Sequence, residues 1–287
     1  MIDFFREIFL ENMDSKLKDQ LNFHKEFKNW YNQIKQDFKF DYQKDCEARD
    51  YLSRIFLKKS QNWKLYDVLK MFKRRILTKP SILVFGCGPS LEKTVEIIWK
   101  KEGAIFFEDF INIAADGASI LLKEKEIKID AIFTDLDGIT KSEFEYASFN
   151  IIHAHGDNIE KLQYFEEDII KFENIIGTTQ VEPLTNLINP GGFTDGDRIL
   201  FFLRTLLSPF QRLFLIGMDF GSIIGKYSKI NMKVNQEAYP IKQKKLHYAL
   251  KVIKWLKKII KNPIYFVNSE YKTEDFINLS IEEFLNF

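Results

Sequence analysis

The sequence predicts an α/β fold: a three-layer, mostly parallel sheet with helices on both faces, preceded by an α-helical N-terminal region. Three observations predict it. Residues 1–79 contain neither glycine nor proline and carry apolar residues at helical spacing. From Pro80 onward, short apolar runs of strand length alternate with helix-like segments. Most of those runs end in loops rich in Gly and Asp, and parallel sheets bind ligands at the carboxyl ends of their strands. The change of texture divides the chain into a helical region, 1–79, and an α/β domain, 80–287.

In the first region Leu17 and Leu21, then Tyr51, Leu52, Ile55 and Phe56, then Trp63, Tyr66, Leu69 and Phe72 recur on helical faces. They predict three or four amphipathic helices whose aromatic stripe is packing. Ser81–Phe85 is the first strand, ending in Gly86-Cys87-Gly88-Pro89-Ser90 before a helix over Leu91–Lys101. Pro89 suits a helix start, where its missing N–H costs nothing. Further strands are expected at Ile111–Ala115, Ala131–Thr134, Asn150–His153, Asn174–Thr178 and Arg212–Gly217. Helices over Ala118–Glu126, Ile159–Lys171 and Arg198–Leu207 separate most of them. The stretch Lys242–Lys261 places Leu246, Leu250, Ile253 and Leu256 on one stripe, which reads as a crossover helix with a solvated lysine face. A phosphate contact from Lys242, Lys244 or Lys245 is the secondary reading. Pro263 ends that helix before a last strand, Ile264–Val267.

Composition excludes several classes. A hydrophobic content of 45% with 28 Phe is too apolar for a disordered chain. No window approaches the roughly 18 apolar residues of a membrane helix. The start, MIDFFREIFLENMD, sets acids in and beside its short apolar run, unlike a secretory signal. Cys46 and Cys87 are too few for a disulfide framework or a four-thiolate metal site. The expectation is a soluble cytoplasmic protein. The net charge of +1 lacks the basic footprint of a nucleic-acid binder. It is a cancellation: residues 1–79 hold 18 basic and 12 acidic side chains, 80–220 hold 12 and 23, and 221–287 hold 12 and 6.

The acidic middle is explained by where the strands end. Asp116-Gly117, Thr134-Asp135-Leu136-Asp137-Gly138, His153-Ala154-His155-Gly156-Asp157-Asn158, Gly191 through Arg198 and Gly217-Met218-Asp219 all follow a strand or open a helix. In a parallel sheet these loops meet at one edge, bringing at least seven carboxylates to one mouth. Crowded carboxylates repel unless a cation sits among them, and short Asp side chains suit Mg²⁺ with its phosphate oxygens and waters. The Gly86–Ser90 loop offers N–H groups beside a helix start, a favourable place for phosphate. It is no Walker loop, since no Gly-Lys-Ser/Thr follows. It is similar to the glycine loop of methyltransferases that bind S-adenosylmethionine. His153 and His155 suit hydrogen bonding better than a closed zinc site, and Cys87 reads as a small residue in a tight loop.

The succession FGCGPSLE, AADGA, FTDLDG, HAHGDN, GGFTDGDR and GMDFG, with GKYS and a Lys-rich KKL helix behind it, resembles the archaeal 6-hydroxymethyl-7,8-dihydropterin pyrophosphokinase family from about residue 81 to 256. ADGA followed by DLDG is also similar to motifs of thiamin pyrophosphokinases, with Ala118, Thr134 and Gly138 departing from them. The resemblance implies a fold like the thiamin pyrophosphokinase catalytic domain, so that 80–287 is the catalytic domain. It implies transfer of the pyrophosphoryl group of ATP to the hydroxymethyl group of the pterin, releasing AMP. The reaction lies on the route to folate- or methanopterin-type cofactors and needs a divalent cation. The site it implies has Asp116, Asp135 and Asp137 holding Mg²⁺. Asp135, Asp137 and Arg198 would be catalytic, with Arg198 offsetting charge at the β-phosphoryl group. ATP would lie on Gly86, Gly88, Pro89, Ser90, Asp116 and Gly117. The reduced pterin would lie on His155, Asp157, Asn158, Thr194, Asp195 and Asp197. ATP and the pterin are the expected partners, with neither nucleic acid nor membrane, and self-association into a homo-oligomer stays open. The alternatives are an S-adenosylmethionine-dependent methyltransferase and a non-catalytic nucleotide-binding module.

Overall fold

The computed structural model describes residues 16–287. After a short helical stretch at 16–21 come α1 (His24–Phe38), α2 (Tyr42–Leu57) and α3 (Leu65–Ile76). Residues 1–15 of the expected helical region lie outside the described residues. Asp41 starts α2 by accepting the Gln43 N–H at 2.9 Å, which satisfies one of the helix's free donors. The α/β part runs β1 (Ser81–Phe85), α4 (Leu91–Glu102), β2 (Ile111–Ala115), α5 (Ala118–Glu124), β3 (Ala131–Thr134), α6 (Lys141–Tyr146) and β4 (Phe149–Ala154). It continues with α7 (Ile159–Tyr164), α8 (Glu166–Lys171), β5 (Ile175–Thr179), α9 (Asp195–Leu203), β6 (Arg212–Ile216), β7 (Ile223–Ile224) and β8 (Gln236–Glu237). It closes with α10 (Pro240–Leu256), β9 (Ile264–Val267), β10 (Ile277–Leu279) and α11 (Ile281–Leu285).

Eight strands form one sheet in the order β10-β9-β6-β1-β2-β3-β4-β5, and every neighbouring pair is parallel. Side chains alternate across it as a pleated strand requires. Ile82 and Val84 of β1 face a layer built by α1, α3, α9 and α10, while Leu83 and Phe85 face α4, α5 and α11. A third cluster joins α2 to α6, α7 and α8 against β4 and β5. The core runs across the texture change at Pro80: Phe27, Tyr31 and Phe72 lie in the same cluster as Val84, Phe133 and Ile253. Among the described residues no helix is long and apolar enough to cross a membrane.

Several elements depart from their expected bounds for local reasons. The helix expected over Ile159–Lys171 is two short helices meeting at the buried Phe165. The helix expected from Arg198 begins at Asp195, because Asp197 turns back onto Thr194 as a capping box. The lysine-rich helix is α10, which starts at Pro240 and ends at Leu256. Strand β10 and the small antiparallel β7–β8 ribbon have no counterpart in the expectation. Strands β2 to β5 extend the sheet to one side of β1, and β6, β9 and β10 extend it to the other. The order therefore reverses at β1 and β6, and a crevice opens at their carboxyl ends.

Candidate active site

Asp116 directly follows β2 and adopts a left-handed backbone, φ 46°. Thr134, at the end of β3, donates its hydroxyl to Asp116 Oδ1 at 2.6 Å and accepts the Leu136 N–H at 2.7 Å. Leu136 is also left-handed, φ 72°, and this tight turn sets Asp135 and Asp137 beside Asp116. Carboxylate oxygens of the three lie within 4.8 Å of one another. Gly138 is what permits the approach, since a Cβ there would collide with Asp116 Oδ2. Asp135 Oδ2 is 3.2 Å from His155 Nε2, and the Asp137 N–H reaches Asp135 Oδ1 at 3.3 Å.

The electrostatics follow from that crowding. Burial, then repulsion from Asp135, Asp195 and Asp137, holds the Asp116 carboxyl well above the ordinary carboxylate range. Asp195 is raised well above it too, by burial and then by Asp135. Asp137 is raised by burial and Asp135. Burial pushes Asp135 up as well, but the His155 ring and the Asp137 N–H outweigh it and bring it to about 2. Three clustered oxygen donors, two of them disfavoured as anions by burial and mutual repulsion, fit a hard divalent ion such as Mg²⁺.

Two clefts meet at these acids. The smaller, about 120 Å³, fills the crevice between β1 and β6 and is lined by Gly86, Cys87, Gly88, Gly217 and Met218. The larger, about 490 Å³, is bounded by Asp135, Asp137, His153, His155, Asp157 and Arg198, and by Asp41, Lys44 and Asp45 at the start of α2. Asp116, Thr194, Asp195, Ser228, Lys242 and Lys245 border both. The α2 contribution is held by Asp45, which accepts the Tyr31 hydroxyl at 2.7 Å and the Gly156 N–H at 2.8 Å.

Some expected site residues also make bonds within the fold. The Gly86 N–H donates to Ile216 O at 2.8 Å, Gly88 to Gly217 O at 2.7 Å and Ser90 to Asp219 Oδ2 at 2.9 Å. These amides knit the β1 and β6 loops together and are not available to a phosphate, and Pro89 has none to give. A Cβ on Gly88 would collide with Asp219 and Gly217 O, so this glycine serves loop packing. Asp197 is buried and accepts from the Phe193 N–H at 2.5 Å and from the Thr194 N–H and hydroxyl at 2.9 and 2.7 Å; it caps α9 and lines neither cleft. Asn158 is buried too, donating to Asp135 O and His153 O and accepting the His155 N–H, so it shapes the loop from behind. Gly117 packs under Tyr227 O. Arg198 borders the larger cleft alone.

Several lysines border the clefts as well. Lys229, Lys242 and Lys245 reach the clefts, and Lys242 lies within electrostatic reach of Asp195. The lysine-rich pattern of α10 was the available signal, and Lys242 and Lys245 of the secondary reading border both clefts. Asp45 has no local signal, because its partner Gly156 is 111 residues away.

A family model described as "6-hydroxymethylpterin diphosphokinase MptE-like" matches residues 54–225. The chain belongs to this family. It is 39% identical over 245 residues to the 6-hydroxymethyl-7,8-dihydropterin pyrophosphokinase of Methanocaldococcus jannaschii, covering 81% of this chain and 95% of that one. It is 35% identical over 234 residues to the protein of the same name from Pyrococcus furiosus, covering 81% and 93%. To the one from Methanothermobacter thermautotrophicus it is 36% identical over 233 residues, covering 80% and 93%. Among solved structures, the MAf glycosyltransferase from Magnetospirillum magneticum AMB-1 is similar over 71% of this chain and 34% of that one, with 15% identity and a TM-score of 0.39. The span matched by the diphosphokinase family contains the three clustered aspartates and Asp195, and stops short of Lys242 and Lys245.

Proposed function

We propose that the protein transfers the pyrophosphoryl group of ATP to 6-hydroxymethyl-7,8-dihydropterin in a Mg²⁺-dependent reaction that releases AMP. It would act in the cytoplasm and supply a folate- or methanopterin-type cofactor route. The observation that carries the reading is the junction where two clefts share Asp116, Asp195, Lys242 and Lys245. Two substrates bound side by side would meet there, and the family name and the relatives' names supply the chemistry.

Asp116, Asp135 and Asp137 would hold the divalent ion, which when bound supplies positive charge to the phosphate oxygens. ATP lies along the β1–β6 crevice, with its phosphates toward the junction. Lys242 and Lys245 offset their charge, a task that falls to them and not to Arg198 because they border both clefts. The pterin occupies the larger cleft with its hydroxymethyl group at the junction. The hydroxyl oxygen attacks the β-phosphorus, the bond from the β-phosphorus to the α–β bridging oxygen breaks, and AMP leaves. Asp195, a carboxyl at the junction outside the three that would hold the ion, takes the hydroxyl proton in its anionic form. Neither a methyltransferase nor a non-catalytic nucleotide module gives these acids work to do.

The test is product analysis. With Mg²⁺, ATP and the reduced pterin, AMP and the pterin pyrophosphate should accumulate in equal amounts. ADP as the sole nucleotide product would mean single phosphoryl transfer and would sink the mechanism.

A further inference from the structure

Two side chains in the larger cleft have buried polar atoms with no hydrogen-bond partner among the described residues. They are Nε2 of His153, a residue 3% exposed, and Nε and Nη1 of Arg198, 2% exposed. Buried polar atoms in native proteins are almost always paired, so exceptions that border a cleft point to a partner brought by a ligand.

The bonds already made define that partner. Thr178 donates its hydroxyl to Ile152 O at 3.1 Å, so its oxygen accepts from His153 Nδ1 at 3.0 Å. The ring hydrogen therefore sits on Nδ1, and Nε2 is a bare acceptor. Burial and the neighbouring Arg198 charge hold this imidazole well below its ordinary titration range, keeping it neutral. Gln180 lines the same cleft, and its side chain, within reach of the ring, works in the opposite direction by favouring the charged form. Arg198 spends Nη2 on Phe193 O at 3.0 Å and keeps its other N–H groups as donors. A phosphate brings only acceptors and would meet the His153 lone pair unfavourably. An acceptor near donors fits a ligand edge that has an N–H beside a carbonyl oxygen, and the lactam edge of a pterin is such an edge.

We infer that His153 is a specificity residue of this site, accepting the lactam N–H of the pterin while Arg198 donates to the adjoining carbonyl oxygen. This rests on the function proposed above. Two further observations agree with it. Phe38, Phe40 and Phe193 line the same cleft and offer an aromatic wall to a flat ring. The His153 and His155 rings are 5.9 Å apart, and His155 touches Asp135, so a ring held by His153 lies next to the acid cluster.

The test compares the wild type with His153→Phe and His153→Gln, measuring pterin binding by fluorescence titration without ATP, KM for both substrates, and the melting temperature. His153→Phe should weaken pterin binding and raise its KM at least tenfold, leaving KM for ATP within twofold. His153→Gln, whose amide oxygen can accept, should recover most of that loss. A pterin methylated at the lactam nitrogen covers the case in which His153→Phe fails to fold. It should bind the wild type at least tenfold more weakly than the parent. Equal binding of the methylated ring, or an equal rise of both KM values in His153→Phe, would overturn the inference. Wild-type protein that releases no AMP in the presence of the pterin would overturn the proposed function and this inference with it, which keeps the two failures distinct.

Discussion

Two stretches of the same sheet edge treat their aspartates in opposite ways. At the β1–β6–β9 end, Asp219 is buried and fully used. It accepts the Ser90 N–H at 2.9 Å and hydroxyl at 2.6 Å, the Ser269 hydroxyl at 2.6 Å and the Glu270 N–H at 3.1 Å. It ties together the loops that follow three strands. At the β2–β3–β4 end, Asp116, Asp135 and Asp137 face one another, and burial and mutual repulsion push the carboxyls of Asp116 and Asp137 above the ordinary range. His153 and Arg198 nearby have unpaired polar atoms. One end is saturated by the protein's own donors, and the other sets carboxylates against one another. The lesson is that an aspartate at a strand end is structural or functional according to what already bonds it, and only the second end has chemistry left to give.

The contrast can be broken most sharply at the acids. Asp135→Asn and Asp137→Asn should each lower turnover on the order of 10³-fold, about 4 kcal/mol of barrier. Their melting temperatures should hold or rise, since repulsion is relieved. Near-normal steady-state rates in both variants would remove them from the metal site. Asp219→Ala should do the reverse, costing about 3 kcal/mol of stability in urea unfolding because it leaves buried donors unpaired. A melt unchanged from wild type would show that the Asp219 end is not the saturated one.

Cation dependence sharpens the comparison further. Mg²⁺ at 100 times its Kd should add about 2.7 kcal/mol of stability, reversed by chelation. In the metal-free protein Asp116, Asp137 and Asp195 keep their protons to higher pH than in the unfolded chain, whose aspartates titrate near 3.8. The folded state then binds more protons above that value, so its stability should fall as pH rises through the folded values. Asp135→Asn should flatten this slope, and calorimetric melts across pH 4–8, roughly the span between the ordinary Asp value and neutrality, would read it. The smallest effect is expected from Lys242→Ala: KM for ATP roughly tenfold higher, about 1.4 kcal/mol, with the pterin KM little changed. Equal shifts in both would place Lys242 away from the phosphates.

Much of this was readable along the chain. The apolar runs marked seven of the eight sheet strands, because a parallel strand buried on both faces must be apolar throughout. Asp116, Asp135 and Asp137 were readable because their spacing and their place after strands are local. The capping role of Asp197 was readable in principle from Thr194 three residues before it, though the same acid also looked like a ligand. The role of Asp45 and Lys44 in the cleft was not, since it depends on α2 packing against β4 and β5 and reaching the Gly156 loop.

The sequence by itself determined the class of fold, the strand ends and the surplus of acids among them, since periodicity and turn chemistry act over a few residues. Only the tertiary structure decided which of those acids are spent. Asp219 and Asp197 look no different from Asp116 or Asp195 as letters in Gly-Met-Asp or Thr-Asp-Gly-Asp. Their hydrogen-bond partners come from the geometry of loops brought together by the sheet, in the case of Asp219 from residues 50 and 129 positions away. Whether a carboxylate is satisfied is a property of what surrounds it, and that is set by the fold.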